Sequence, residues 1–563
     1  MLVASCNSES TVTINGPAIE LLKLTTHLAS IGLQSTIQSA KNSVNLRLED
    51  FLIVIDHNTL NINIDSGLEE IIVKNQKSDT AHQEALAELK DQLEGKSPIT
   101  ESLGWENILK PHQLSAANAM TIPGLRGVCL FDEQGVGKTL TTIAAFDIIK
   151  NADLIDAMLV VAPKTLVNTW IDEFGKFLPG KYRLINISGN KLSRFRASQK
   201  SSDVYFITYE SLTTDASIVT TLLRQKRTLL TVDESFFAKN PNAKRSLALQ
   251  AVRSYANRAF ILCGTPAPNH PKDVISQVDL CDEGFTFKHF QSTDNEDLDR
   301  LNISKLLDSR APIIRRTKLE VLPDLPDKQF RIINYDLLPY QRQLYDEAKK
   351  QLVLFLHKLD NSTFKRELAT YFQKRAALLQ ICISPALIGD QSIDSSKYVA
   401  LLQLVDDLVK MKNEKVVIWS AYTKSTNHIE KLMSNYEIAR VDGTVTDSDV
   451  RTREINRFQK DPNCKIFLGN PAAAGAGVTL TAANNAIYVS LSNQVASYMQ
   501  SLDRIHRIGQ NADQVNYFFL IANDTIEESE ISRISRKHSA QSDLLMDLAD
   551  PSIDLQSAID ELR

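Results

Sequence analysis

The chain has 563 residues, of which 43% are apolar and 23% charged, with 20 glycines and 18 prolines. That length exceeds one ordinary core and points to about three or four domains, while the composition excludes a fibrous repeat or an extended disordered polymer. A net charge of −5 excludes a uniformly basic nucleic-acid wrapper, so any DNA contact must be local.

Six scattered cysteines, Cys6, Cys129, Cys263, Cys281, Cys382 and Cys464, have neither zinc-ligand spacing nor the density of a disulfide framework. They are expected to be reduced and mostly buried. No stretch approaches the roughly 18 apolar residues of a membrane span. The N-terminus lacks a basic segment followed by an apolar one. A cytoplasmic protein without a membrane partner is expected.

In chain order, residues 1 to 75 carry short β-like runs, Phe51-Leu-Ile-Val-Ile-Asp56 and Leu60-Asn-Ile-Asn-Ile-Asp65, the second alternating with period two. They predict a small α+β module. Residues 78–95 shift to Ala, Glu, Lys, Leu and Gln, which predicts a helical linker with little apolar surface of its own. A boundary is placed at residue 100. Over 101–335, apolar runs at 127–131, 158–162, 204–208, 229–232 and 259–263 alternate with helical patterns, as in a parallel sheet wrapped by helices. Residues 336–395 become long helical stretches marked by Tyr340, Leu344, Leu352, Leu356, Tyr371 and Leu378, which predict a helical insert. The alternation resumes over 396–535, with strands expected at 415–420, 438–441, 465–468, 486–489 and 517–521. A polar helical tail follows over 536–563. The fold class is therefore α/β, with two parallel-sheet lobes.

Three pieces carry chemistry. Asp132-Glu133-Gln134-Gly135-Val136-Gly137-Lys138-Thr139 follows an apolar run and opens a helical stretch. In such a loop glycines let backbone N–H groups approach phosphates, Lys138 neutralises the β and γ charges, and Thr139 ligates Mg²⁺. Asp132 stands where the first glycine of the full pattern would be, so the short match alone also fits an ordinary glycine-bearing loop. The second piece is the apolar run 228–232 ending in Asp233 and Glu234. An aspartate there can hold Mg²⁺ and a glutamate can polarise the attacking water, although an acidic pair more often only solvates a strand end. The third is Gln500-Ser-Leu-Asp-Arg-Ile-His-Arg-Ile-Gly-Gln510, which on a helix sets Arg504 and Arg507 on one face. A guanidinium from another domain stabilises the charge spread as a γ-phosphate bond breaks, an effect of about 10³ to 10⁵ in rate. An isolated Arg-x-x-Arg is usually a solvated surface helix. The order of the three pieces points to two lobes closing on one nucleotide.

Over about residues 105–535 this series resembles the Swi/Snf family of double-stranded-DNA translocases in helicase superfamily two. Leu109-Lys-Pro-His-Gln113 resembles the adenine-reading glutamine motif. Val160-Val-Ala-Pro-Lys-Thr-Leu-Val-Asn-Thr-Trp170, Ile207-Thr-Tyr-Glu210 and Leu262-Cys-Gly-Thr-Pro-Ala-Pro-Asn269 resemble first-lobe motifs that touch DNA or couple it to ATP. Ile314-Arg-Arg-Thr-Lys318, Leu379-Gln-Ile-Cys-Ile-Ser-Pro385, Val441-Asp-Gly443 and Gly475-Ala-Gly-Val-Thr-Leu480 continue the set. The resemblance implies two RecA-like lobes and a DNA-dependent ATPase using ATP and Mg²⁺. It implies catalysis by Lys138, Asp233, Glu234, Arg504 and Arg507, with metal held by Thr139 and Asp233. Nucleotide contacts would come from Gln113, Gln134, Gly135, Val136, Gly137, Lys138, Thr139 and Gly477. DNA contacts would come from Lys164, Thr165, Asn168 and Thr208 in the first lobe and Ser420, Thr479 and Thr481 in the second, with Gly264, Thr265 and Gln500 coupling the two substrates. A threonine after a strand is, however, more often a helix cap. The run 233–240 resembles the fork-remodelling, annealing-helicase branch.

Phe236 stands where the family usually has a histidine, Asn493-Gln494-Val495 replaces a Trp-Asn-Pro stretch, and Ala472-Ala473-Ala474 lies where an arginine or lysine is common. These departures are expected to weaken DNA coupling while leaving the ATP contacts. Arg310, Arg315, Arg316 and Lys318 form a basic run without an acid, which reads equally as a local positive field or as a connector between lobes. Duplex or branched DNA is the expected partner, held through phosphates without base readout. Few aromatics interrupt these segments, which disfavours single-strand stacking. Residues 1–100 match no motif and leave three roles open: reading branched DNA, binding a protein partner or inhibiting the motor. The leading function is translocation on duplex DNA, with fork remodelling or protein displacement as outcome. The alternatives are an ATP-gated DNA clamp or scaffold with little motor activity, and an RNA helicase. A compact bacterial or viral enzyme, nucleoid-associated, is the expected setting.

Overall fold

Alternation of apolar and polar residues builds the N-terminal module. The computed structural model describes residues 2–8, 11–30, 36–38, 43–47, 51, 54–55, 62–96, 104–267, 270–288, 290–293, 295–390, 394–445, 447–471, 478–490, 495–532 and 555–562. Strands β1 (Leu2–Ser8), β2 (Thr11–Asn15), β3 (Thr36–Gln38), β4 (Ser43–Arg47) and β5 (Ile62–Ile64) form a sheet in the order β3-β4-β2-β1-β5, antiparallel except for β1 with β5. Val12, Ile14, Val44 and Leu46 point inward against Leu21, Leu24 and Leu28 of helix Ala18–Ser30. The run at 51–56 differs from expectation, since Phe51, Val54 and Ile55 are helical. Their spacing of three and four puts all three on one helix face in the same core, and so short an apolar run does not fix its own period.

The expected linker is the second half of a helix, Ser66–Leu93, capped by Asp65, whose carboxylate accepts from the Leu68 N–H at 2.7 Å. Leu68 and Ile72 belong to the module core, whereas Ala85, Leu86 and Leu89 are buried in the first lobe. It is a strut rather than a free spacer. His82 is buried at its middle, where Nδ1 accepts from the Arg126 N–H at 3.2 Å and the ring meets Phe285 edge-on at 4.9 Å. Arg126 in turn pairs with Asp79 at 2.6 Å.

The first lobe contains β6 (Gly127–Leu130), β7 (Ala157–Ala162), β8 (Leu184–Asn186), β9 (Val204–Thr208), β10 (Thr228–Asp233), β11 (Arg258–Leu262) and β12 (Ile313–Ile314). They pair in parallel in the order β12-β6-β11-β10-β7-β9-β8. Helices cover both faces, so the central strands read as unbroken apolar runs. The second lobe contains β13 (Asp327–Tyr335), β14 (Val416–Trp419), β15 (Ile438–Val441), β16 (Ile466–Gly469), β17 (Asn485–Tyr488) and β18 (Gln514–Ala522), also parallel, in the order β13-β18-β17-β14-β16-β15.

Strand β13 moves the crossover. Its residues fall within the span 101–335 read as first lobe, yet they pair with β18 from Asp327 to Tyr335. The chain therefore passes between the sheets over 315–326. As an edge strand β13 leaves much of its surface exposed, which removed the apolar run that would have announced it. Helices Pro339–Leu356, Asn361–Arg366 and Leu368–Ile383 occupy the insert region. Their core continues into Ala522 and Ile526, and Ala558 and Leu562 seal it from the C-terminal end. Arg375 pairs with Glu530 and with Glu561 there. Cys129, Cys263, Cys281, Cys382 and Cys464 are buried free thiols. No described helix is long and apolar enough to cross a membrane.

Candidate functional site

The loop after β6 is built around two glycines. Gly135 (φ 86°) and Gly137 (φ 102°) take left-handed backbone, and helix Lys138–Asn151 starts at once. A Cβ on Gly137 would lie 2.0 Å from Gln113 Nε2, and one on Gly135 would lie 3.1 Å from Lys318 Cε. Only glycine permits both the turn and these approaches. Gln113 braces the loop from behind, its Nε2 donating to the Val136 carbonyl at 3.1 Å while its Oε1 accepts from the Lys110 N–H at 3.0 Å. The Lys138 ammonium is drawn across the loop, donating to the carbonyls of Asp132 at 2.8 Å and Glu133 at 3.3 Å.

Asp132, which breaks the full phosphate-loop pattern, has a job of its own. Its carboxylate takes both forks of Arg316, with Nε to Oδ1 at 3.1 Å and a second contact from the terminal nitrogen. Glu133 Oε2 accepts from the Lys318 N–H at 2.7 Å. Arg315 donates to the Phe131 carbonyl at 3.2 Å, and Arg310 lies over the Phe285 ring at 4.7 Å. The basic run 310–318 is thus engaged within the protein, which favours a connector over a field for DNA.

The acids sit at the end of β10. Asp233 Oδ2 accepts from the Trp170 indole N–H at 2.8 Å, and Oδ1 from the Glu234 N–H at 2.9 Å. Glu234 adopts φ 52°, a strained setting of order 1–3 kcal/mol that the fold must hold in place. The Tyr209 hydroxyl does so, donating to the Asp233 carbonyl at 2.7 Å and lying 3.3 Å from that of Glu234. Glu234 Oε1 accepts from Gln134 Nε2 at 3.1 Å and from Gln500 Nε2 of the other lobe at 3.4 Å. Glu234 Oε2 is buried and has no partner within the protein. Burial, and then the charge of Asp233, pushes the Glu234 carboxyl up to about 7, and burial also raises Asp233.

The arginines arrive from the second lobe. Helix Val495–Leu502 ends before them, so Arg504 and Arg507 lie on successive turns rather than on the one helix expected. The cause is local, since the Arg504 carbonyl accepts from the Leu480 N–H at 2.9 Å and Gly509 turns at φ 96°. Arg504 donates to Gln134 Oε1 at 3.3 Å and to the Val478 carbonyl at 3.3 Å, and Arg507 donates to Thr479 Oγ1 at 3.0 Å. Burial, then Arg507, brings Arg504 down to about 10, so it stays charged at neutral pH. Between the arginines' segment and the connector, Lys318 pairs with Asp503 and donates to the His506 carbonyl at 2.9 Å. Burial lowers Lys318 to about 8. For Asp503, burial opposes ionisation but Lys318 and Lys328 overcome it and hold the carboxyl below its usual range.

One cavity of about 350 Å³ collects these groups: Gln113, Gln134, Gly135, Gly137, Lys138, Thr139, Asp233 and Glu234 from the first lobe, and Thr479, Arg504 and Arg507 from the second. Leu140, Leu166 and Phe177 add an apolar wall. Val136 contributes its carbonyl behind the loop, and Gly477 lies outside the described residues. A polar cradle from one lobe capped by guanidinium groups from the other is a binding site for a polyanion.

The expected DNA residues divide. Lys164, Thr165 and Asn168 are exposed on the first turns of helix Lys164–Phe177. Asn168 lines a second cleft of about 480 Å³, faced from the other lobe by Thr452, Arg453 and Asn456. Thr208 accepts from the Ser211 N–H at 3.2 Å and is a helix cap. Ser420 is fully buried, Thr479 turns into the inter-lobe cavity toward Arg507, and Thr481 accepts from Gln459 Nε2 at 3.4 Å. The second lobe therefore does not bring Ser420 or Thr479 to the Lys164 surface. Among the coupling residues, Gln500 reaches Glu234, and a Cβ on Gly264 would lie 2.4 Å from Gln134 Cγ. The Thr265 hydroxyl is buried without a partner in the protein. Phe236 stacks on Phe237 with centroids 4.5 Å apart. Residues 472–474 and 491–494 lie outside the described residues. Trp170 was not among the expected site residues, although its apolar spacing with Leu166, Val167 and Phe174 marks a buried indole that needs an acceptor.

Known proteins are similar to this chain in sequence. The human DNA annealing helicase and endonuclease ZRANB3 is 28% identical over 442 residues, covering 73% of this chain and 38% of that protein. The ISWI chromatin-remodeling complex ATPase ISW1 of Saccharomyces cerevisiae is 26% identical over 461 residues, covering 76% of this chain and 40% of that protein. The chain thus spans about two fifths of the length of these relatives. The solved Sulfolobus solfataricus SWI2/SNF2 ATPase core in complex with dsDNA is 26% identical, covering 78% of this chain and 94% of that one, with a TM-score of 0.37. Residues 56–387 match the SNF2-related domain and residues 396–509 the helicase conserved C-terminal domain, and the chain belongs to this SNF2-related family of helicase-type enzymes.

Proposed function

We propose that the protein is a DNA-dependent ATPase that couples ATP hydrolysis to translocation on duplex DNA. The observation that carries this reading is Glu234, a carboxylate approached by Gln134 from one lobe and by Gln500 from the other. Family membership supports ATP use and action on DNA.

The donor set fits a magnesium nucleotide. A Cβ would fill the loop at Gly135 or Gly137, and Glu234 Oε2 and Arg504 Nε are buried without partners in the protein. Thr139 and Asp233 would hold Mg²⁺, which when bound neutralises charge on the β and γ oxygens. Lys138 would meet the same phosphates. Trp170 and the Glu234 N–H fix the Asp233 carboxylate. Glu234 would orient water and accept its proton through Oε2, the oxygen left without a partner in the protein. Arg504 and Arg507 would stabilise the charge that develops on the transferred group. Because Arg504 reaches the acid through Gln134, hydrolysis is favoured only when the lobes are aligned.

Exposed Lys164 and Thr165, with Asn168, Arg453 and Asn456 of the second cleft, whose lining also holds Asp172 and Asp449, would grip a DNA backbone. Remodelling of forked or branched DNA is the finer reading, supported by the name of the human annealing-helicase relative. The N-terminal module and its strut would supply the structure-reading or protein-binding surface. Comparing ATP turnover with and without duplex DNA tests the proposal, and absence of stimulation would sink it. Phe236, stacked on Phe237 and offering no polar link, favours a second reading: an ATP-gated clamp with little motor activity. Displacement of a third strand from a DNA triplex separates them, since a translocase evicts it with ATP and a clamp does not.

A further inference from the structure

We infer that Gln277 is a positioning residue that relays DNA contact to the ATP site, in place of a polar side chain at position 236. The inference rests on the DNA-dependent ATPase reading above. Ser235 follows Glu234 directly and is fully buried, and its hydroxyl donates to Gln277 Oε1 at 2.6 Å. Gln277, also fully buried, lies in helix Ile275–Asp282. Its Nε2 donates to the Pro266 carbonyl and, at 2.8 Å, to the Asp273 carbonyl. Ser276 anchors the same turn by donating to the Ala238 carbonyl at 2.7 Å.

These contacts close a ring. Pro266 lies two residues after Gly264, whose backbone is so near Gln134 that a Cβ would meet Gln134 Cγ at 2.4 Å. Gln134 then returns to Glu234 at 3.1 Å. The loop 264–267 therefore touches the Glu234 segment twice, through Gly264 and Gln134 on one side and through Pro266, Gln277 and Ser235 on the other. A shift of that loop must move either the Gln134 contact or the strained backbone beside Glu234, because packed interiors transmit displacement rather than absorb it. The Phe236 side chain stacks on Phe237 and supplies no hydrogen-bonding group of its own. A plain glutamine satisfied in a core has no need of two partners that flank an acid and a loop on different strands.

The experiment measures DNA-stimulated and unstimulated ATPase, nucleotide affinity and duplex affinity for Gln277→Met, Ser235→Ala and the double variant of the full chain. Gln277→Met preserves volume while removing both polar ends. Loss of one buried neutral hydrogen bond corresponds to about three- to tenfold, so the stimulation ratio is expected to fall by about that factor in each single variant. Nucleotide and DNA dissociation constants are expected to stay within about twofold, and the double variant to fall no further than the worse single one. Unchanged stimulation in Gln277→Met, or losses that multiply in the double variant, overturns the relay alone. Should Gln277→Met fail to fold, the Ser235→Ala ratio decides in the same way. Wild-type turnover indifferent to DNA overturns the parent reading and the relay with it.

Discussion

Replacing Gln134 by leucine tests the bridge between lobes most directly. Its amide donates to Glu234 at 3.1 Å and accepts from Arg504 at 3.3 Å, so one side chain couples the acid to the arginine segment. Each bond has a charged partner, worth about 1.5 to 3 kcal/mol, and the lengths place both near the lower end. Together they amount to about 3 kcal/mol, or a fall in kcat of about 10²-fold at roughly 1.4 kcal/mol per tenfold. Leucine keeps most of the volume against Gly264, so the loop should hold its shape. The assay is steady-state ATPase at saturating ATP beside a fluorescent-nucleotide titration. The expected result is lost kcat with nucleotide affinity within about threefold of wild type. A kcat within threefold of wild type refutes the bridge. Preserved kcat with weakened nucleotide affinity would make Gln134 a ground-state ligand instead. Gln134→Glu is the sharper companion, because it retains an acceptor for Arg504 but sets a second carboxylate beside Glu234, and its turnover should fall below that of the leucine variant.

Lys138→Ala and Glu234→Gln should each abolish turnover in a phosphate-release assay. Only Lys138→Ala is expected to weaken nucleotide binding by an order of magnitude or more, since Glu234 carries no ground-state phosphate contact. Arg507→Ala should slow hydrolysis at least about 10-fold while leaving nucleotide affinity nearly intact; a change in affinity alone would remove it from the transition state. Asp132→Gly restores the full phosphate-loop pattern yet is expected to destabilise the first lobe by about 3 kcal/mol in urea unfolding, because it strands Arg316 in a largely buried site. Adding Arg316→Met should recover part of that loss. Stability should also fall as pH drops from about 6.5 toward 4: burial, then Arg126, holds His82 near pKa 4 in the folded protein, so only the unfolded chain binds the proton in that window. The contribution approaches about 3 kcal/mol at the acid end, and His82→Gln should flatten the acid limb of a melting-temperature profile.

Legibility followed burial. The central strands β6, β7, β9, β10 and β11 were readable because both faces are covered and the runs are unbroken. Two-residue β12 and the edge strand β13 were not, and missing them misplaced the crossover between lobes. Residues 78–95 read as a linker because the buried apolar residues they dock on the first lobe, Ala85, Leu86 and Leu89, are sparse among charges. At the site, Lys138, Asp233, Glu234, Arg504 and Arg507 converge as their order along the chain suggested. What the chain order concealed were partners fixed only by tertiary contact. Arg316 for Asp132, Trp170 for Asp233 and Asp503 for Lys318 lie from tens to nearly two hundred residues apart. The burial of Ser420 and the turn of Thr479 toward Arg507 were hidden for the same reason, since a strand-end serine or threonine does not reveal which way its loop folds.

The character of the inter-lobe seam explains why such partners matter. Each apolar cluster among the described residues belongs to one sheet or its attached helices, and none combines strands of both lobes. Across the seam run polar ties instead: Gln134 to Arg504, Gln500 to Glu234, and Lys318 to Asp503. An apolar seam would cost free energy in proportion to area at every opening. A polar seam exchanges its partners for water at small net cost, so its balance can be tipped by a few charge-assisted bonds. The placement of those bonds beside Glu234 makes the same contacts serve closure and chemistry. Strengthening the seam with buried apolar groups should therefore raise stability while slowing turnover, because the lobes would close without the ligand and reopen too rarely to release product.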